Sequence, residues 1–85
     1  MKLCVVIGAG PQMGMSIAHR FAREGYSIAL VSRSADNLVA DLRGLEGMQD
    51  FDVHGFPADA SDPVSLKNAF SNIENQLKAP DVLVY

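Results

Sequence analysis

The chain has 85 residues, enough for one domain or less, and a chain of that size buries only about 60–65% of the surface its unfolded form exposes. A hydrophobic share of 48% against 20% charged residues excludes intrinsic disorder. A net charge of −3 without a basic stripe leaves nucleic acid no footprint, and no apolar run nears the ~18–20 residues of a membrane span.

"LCVVI" (3–7) is a β-branched apolar run ending at Gly8, and it reads as a strand buried on both faces. From about Gln12 to Glu24 the residues Ile17, Ala18, Phe21 and Ala22 recur at helical spacing, and Gly25 ends that helix. "YSIALV" (26–31) is a second strand. Ser34 is placed to cap a second helix whose Leu38, Leu42 and Leu45 share a face, with Gly44 and Gly47 breaking it. Residues 52–57 form a third strand, although Gly55 and Pro57 are poor strand residues. Asp62 before Pro63 is an N-cap followed by proline at the first helical position. Leu66, Phe70, Ile73 and Leu77 then line one face of a third helix, which Pro80 is expected to stop. "DVLVY" (81–85) is a fourth, buried strand. Such alternation with short connections predicts an α/β fold with a parallel sheet and right-handed crossovers.

"VVIGAGPQMGMSIA" (5–18) carries three glycines directly after a strand and at the start of a helix. In a doubly wound sheet that turn faces nucleotide phosphates. The helix N-terminus offers unpaired N–H groups and about half a positive charge, and glycines let the phosphate approach. Gly8, Gly10, Pro11, Gln12, Met13 and Gly14 are therefore the candidate phosphate-side residues. The plainer alternative is a tight turn whose glycines serve packing alone.

The glycine turn, with "FAREGY" (21–26), "LVSRS" (30–34), "ADASD" (58–62) and "PDVLVY" (80–85) in order, resembles the N-terminal half of a short-chain dehydrogenase/reductase. The likeness spans nearly the whole chain and is closest to the family branch with a GAGPxxG loop. Gln12 stands where the usual loop has its middle glycine. Its side chain either donates to a phosphate or ribose, or crowds the pyrophosphate. The resemblance implies a Rossmann-type doubly wound parallel sheet of order 3-2-1-4, with residues 1–85 forming its NAD(P)-binding half. It also implies that the chain is a piece of a longer protein, continued by an Asn-x-Gly turn and a catalytic Tyr-x-x-x-Lys pair.

At the end of the second strand, where a carboxylate would bind both ribose hydroxyls, stand Ser32 and Arg33. A hydroxyl and a guanidinium suit a 2′-phosphate, and in the family this pairing goes with NADP(H) rather than NAD(H). By the same likeness Asp59 bonds the adenine amino group and Ala60 offers a backbone N–H to the ring; the alternative for Asp59 is a turn or capping role. Hydride transfer with a small carbonyl or alcohol substrate is the implied reaction. No catalytic residue and no metal site is assigned: His19 and His54 lack partners, and Tyr85 has no lysine four residues on. The lone Cys4 fits a cytoplasmic location. Two other classes remain, a non-catalytic nucleotide-binding or regulatory module and a ligand-free fragment held by self-association. The outer edge of the fourth strand would be the template for that association, and part of one sheet face beside it would be bare.

Overall fold

The computed structural model describes residues 2–8, 13–45, 47 and 50–85, with Met13 placed by its backbone alone. Among these residues the elements are β1 (Leu3–Ile7), α1 (Met13–Arg23), β2 (Ser27–Ser32), α2 (Ala35–Arg43), β3 (Val53–Pro57), α3 (Pro63–Gln76) and β4 (Val82–Val84). The four strands form one parallel sheet of order β3-β2-β1-β4. This is the expected α/β half of a Rossmann-type sheet.

Strand parity sorts the core into two layers. Cys4, Val6, Ile28, Leu30 and Val53 face one way and pack with Ala18 and Ala22 of α1 and Leu38 and Leu42 of α2. Leu3, Val5, Ala29, Val31 and Phe56 face the other way and meet Ala69 and Ile73 of α3. All five residues of β1 are buried, which accounts for the unbroken apolar run that encodes it.

Helix α1 closes as its sequence implies. Gly25 takes φ +93°. Its N–H donates to the Ala22 carbonyl at 3.0 Å, and that of Tyr26 to Phe21 at 3.1 Å. These are the two bonds of a Schellman motif, which needs a left-handed residue at that place. Tyr26 is thereby used in the helix ending, and β2 begins one residue later than the pattern suggests.

Helix α2 departs from expectation at both ends. Ser34 occupies the N-cap position with φ −108° and ψ +31°, and its hydroxyl caps nothing. Side-chain capping needs an extended backbone at that residue, and the two-residue connection from β2 does not allow one. The Ser34 carbonyl still accepts from Leu38 N–H at 3.0 Å. At the other end α2 stops at Arg43, so Leu45 misses the buried face and is 44% exposed.

In α3 the Asp62 cap holds: its backbone is extended and its carboxylate accepts from Val64 N–H at 3.1 Å. The helix ends at Gln76, ahead of Pro80. Leu77 leaves helical geometry to pack into the second layer. Beyond it, Lys78 pairs with Asp81 at 2.9 Å, and the same Asp81 carboxylate oxygen accepts from Leu3 N–H at 2.8 Å. Those two donors hold the Asp81 carboxyl below its ordinary value. They also bring β4 into register beside β1.

The fourth strand is less covered than a buried strand would be. Val82 and Val84 are half-buried against the α1 layer. Leu83 is 46% and Tyr85 80% exposed, because α3 packs over β1, β2 and β3 and leaves that side of β4 bare. The outer edge of β4 is unpaired among the described residues.

The two poor strand residues of β3 have separate explanations. A Cβ on Gly55 would lie 3.0 Å from Asp36 Oδ1, 3.1 Å from Val39 Cγ2 and 3.3 Å from the Ala35 backbone. Glycine lets α2 lie directly on the strand. Pro57 closes an edge strand. Ile28 N–H donates to the Asp52 carbonyl and Ala58 N–H to that of Ser32, so the even-numbered residues of this segment face β2. The odd-numbered ones face outward, where Pro57 has no N–H to leave unpaired and the Val53 carbonyl accepts from Arg43 at 2.9 Å.

Two outcomes follow from this packing. Gly55→Val forces a side chain against the α2 backbone and should cost about 1–3 kcal/mol, read as a lower midpoint in urea unfolding; an unchanged midpoint would contradict the close approach. Burial pushes the Cys4 thiol up to about 11. A thiol reagent at pH 8 should therefore leave Cys4 unmodified in the folded protein and react on unfolding.

Candidate functional site

Parallel strands bring all their carboxyl ends to one edge of the sheet, and the candidate residues gather there. Gly8 ends β1 at φ +64° and donates its N–H to the Val31 carbonyl at 2.8 Å. The left-handed φ is the conformation glycine adopts without strain. A Cβ on Gly8 would meet Ala60 Cβ at 3.3 Å, so the turn after β1 and the loop after β3 touch at this point. Gly14 is buried in the first turn of α1. With Met15, Leu30, Ser32 and Leu38 it lines a small crevice between that turn and the end of β2. Gly10, Pro11 and Gln12, and the side chain of Met13, lie outside the described residues.

Arg33 is exposed on the short connection between β2 and α2. Its neighbour Ser32 is half-buried, and the Ser32 hydroxyl accepts from Ser34 N–H at 3.3 Å. Asp59 follows β3 and is half-buried. Its Oδ1 accepts from the Ser61 hydroxyl at 2.6 Å and from the Ser61 N–H at 3.0 Å. These two bonds hold the Asp59 carboxyl below its ordinary 3.8, with a smaller contribution from the positive charge of Arg33. Among the described residues no hydrogen-bond donor meets Oδ2. The turn role of Asp59 is thus realised through one oxygen.

The order β3-β2-β1-β4 places β1 at the switch point of the sheet. Its crossover to β2 lies on one face, and the α3 crossover lies on the other. Crevices at that point are where open α/β sheets take ligands. Gly8, Gly14, Ser32, Arg33, Asp59 and Ala60 therefore lie at the same edge of the sheet. The histidines do not join them. Contrary to the expectation from sequence, His54 does have a partner: it pairs with Asp52 at 2.7 Å near the start of β3, and Asp52 also accepts from the Ser27 hydroxyl at 2.9 Å. His19 stands on the outer surface of α1 beside Arg20 and Arg23. No group of three potential metal ligands occurs among the described residues, and none of their helices is long and apolar enough to cross a membrane.

Two contacts at the site were not anticipated. Asp59 N–H donates to the Ser65 hydroxyl at 3.0 Å, and Ser61 bonds Asp59 as above. Both serines are visible in "DASDPVS", where the spacing from Asp59 to the third residue of α3 is the available signal. The Gly8–Ala60 contact joins residues 52 positions apart, and no local pattern announces it.

A glycine-marked β1–α1 turn at the switch point of a parallel sheet is the arrangement of a nucleotide-binding α/β domain. The match to known proteins is more specific. The family model for short chain dehydrogenases covers residues 2–85, and the chain belongs to that family. An uncharacterised oxidoreductase of Caenorhabditis elegans is 31% identical over 84 residues, which is 98% of this chain and 27% of that protein. Among solved structures, an NADPH-dependent reductase involved in bacilysin biosynthesis superposes with a TM-score of 0.80 at 29% identity, over 96% of this chain and 35% of that one. An alcohol dehydrogenase from the archaeon Thermococcus sibiricus, complexed with 5-hydroxy-NADP, gives 0.76 at 30% identity, over 98% and 35%. The chain thus spans about a third or less of the length of these relatives.

The Asp59 geometry has a pH signature. A depressed carboxyl pKa contributes stability that is present above 3.8 and is lost as the pH falls through the lower folded value. Ser61→Ala removes the largest cause, so Asp59 should then titrate closer to 3.8. The side-chain carboxyl carbon shift followed by NMR reads this directly. Identical titration in both proteins would refute the assignment.

Proposed function

We propose that this chain is the NADP(H)-binding half of a reductase that moves a hydride between nicotinamide and a carbonyl or alcohol carbon. The observation that carries the reading is the Ser32–Arg33 pair at the end of β2, next to Asp59 and beside the glycine-marked end of β1. The residues present fit the group. A side chain at Gly8 would fill the space against Ala60, and the exposed guanidinium of Arg33 is a free fork for phosphate oxygens.

In this reading Gly8, Gly10 and Gly14 admit the pyrophosphate to the N-terminus of α1, with Pro11, Gln12 and Met13 completing the turn. Ser32 and Arg33 take the 2′-phosphate, and the end of β2 itself carries no carboxylate. Asp59 accepts from the adenine amino group through Oδ2, while Oδ1 stays fixed by Ser61. Ala60 offers its backbone N–H to the ring. The dinucleotide, when bound, supplies or takes up the hydride; these residues hold and orient it. The proton-transferring groups belong to the part of the protein that carries the substrate. His19, His54 and Tyr85 stand away from this edge or face solvent. The lone, free Cys4 accords with a reducing compartment such as the cytoplasm. The NADPH-dependent reductase and the alcohol dehydrogenase with bound 5-hydroxy-NADP, both near 30% identical, support the same cofactor.

Calorimetric titration with NADPH and NADH tests the assignment. Arg33→Ala should weaken NADPH binding by about 1.5–3 kcal/mol, the range for a hydrogen bond to a charged group, and leave NADH nearly unchanged. Equal losses for the two cofactors would overturn the 2′-phosphate role.

A further inference from the structure

Ser65 stands outside every role given so far. It is the third residue of α3, counted from the Asp62 cap. In a capping box a side chain at that position reaches back to the N–H of the cap residue. Here the Ser65 hydroxyl reaches further, to the N–H of Asp59, three residues ahead of the cap, at 3.0 Å. The five-residue segment from Ala58 to Asp62 is thereby pinned along its length. Ala58 N–H donates to the Ser32 carbonyl at 3.1 Å, Asp62 N–H to the Asp59 carbonyl at 3.0 Å, and Ser61 N–H to Asp59 Oδ1 at 3.0 Å. Ala60, at the crest, lies against Gly8.

We infer that Ser65 is a positioning residue for the nucleotide site, fixing the loop that presents the Asp59 carboxylate and the Ala60 N–H to a purine ring. The inference rests on the adenine role proposed above and adds a cause for the loop's shape. Without the Ser65 hydroxyl the Asp59 N–H loses its acceptor in a half-buried place, and the peptide on the amino side of Asp59 is free to rotate. The carboxylate then moves relative to Arg33, which lies close enough to influence its charge.

The test measures AMP, NADPH and nicotinamide mononucleotide binding to the protein carrying this chain, as wild type, Ser65→Ala and Ser65→Thr. Thermal midpoints are recorded alongside. Loss of one neutral hydrogen bond corresponds to about a three- to tenfold loss of affinity. Ser65→Ala should weaken AMP and NADPH by the same factor within that range and leave nicotinamide mononucleotide unaffected. Ser65→Thr, which keeps the hydroxyl, should restore both. If Ser65→Ala does not fold, Ser65→Cys keeps the shape with only a weak acceptor and should show the same selective loss. A lower thermal midpoint with AMP affinity unchanged would make Ser65 a helix-start residue only and overturn the inference, leaving the dinucleotide reading intact. A wild type that binds neither AMP nor NADPH would overturn that reading and the inference with it.

Discussion

Everything in this fold is arranged around the complete enclosure of β1. Its five residues are buried, both faces are covered, and β2 and β4 pair with its two edges. A strand enclosed in this way requires a helical layer on each side of the sheet. It also requires crossover connections, since parallel neighbours cannot be joined by a hairpin. The first two crossovers carry α1 and α2 over one face, and the third carries α3 over the other. The sheet order and the switch point at β1 are consequences of that arrangement. The chain is short, so the enclosure is economical: Ala18, Ala22 and Ala69 bring helix backbones close to the strands.

The same geometry makes the site. Because the strands run parallel, the ends of β1, β2 and β3 open on one side, and each is followed by a loop leading into a helix N-terminus. Residues 52 positions apart in sequence thus come close together, as Gly8 and Ala60 show. Electrostatics then differentiate the loops. The β2 loop presents a guanidinium at Arg33. The β3 loop presents a carboxylate at Asp59, whose charged form the two bonds from Ser61 favour. A positive and a negative group thus stand close to each other at this edge of the sheet.

Much of this was legible in the residue pattern, and for identifiable reasons. Continuous apolar runs mark strands with two covered faces, so β1 and β2 are readable from composition alone. Gly25 and Asp62 announce helix boundaries because each serves one backbone geometry, a left-handed turn and a side-chain cap. The failures have physical causes as well. Ser34 has the chemistry of a cap, but its backbone angles are set by the short β2–α2 connection, which the sequence pattern does not encode. Leu45 continues a leucine spacing beyond the point where α2 unwinds. The exposure of Leu83 and Tyr85, by contrast, agrees with the expectation that one sheet face beside the fourth strand is left partly bare. Gly55 looks like a defect in β3 until α2 is placed over it. At the candidate site, residue type and order place Gly8, Ser32, Arg33 and Asp59 at one sheet edge, whereas the Ser65–Asp59 bond depends on how far the α3 N-terminus folds back.

The bond from Leu3 N–H to Asp81 spans 78 positions. During synthesis β1 leaves the ribosome first, yet the partner that completes its second edge is among the last residues of this stretch to emerge. Until then the most hydrophobic strand of the sheet is paired on one side only. At a synthesis rate of about 5–20 residues per second that interval lasts several seconds. Non-local parallel pairing is also intrinsically slow to form. The central strand of the finished fold is therefore the most exposed to aggregation in the nascent one, and chaperone dependence in this chain would be concentrated on its first few residues.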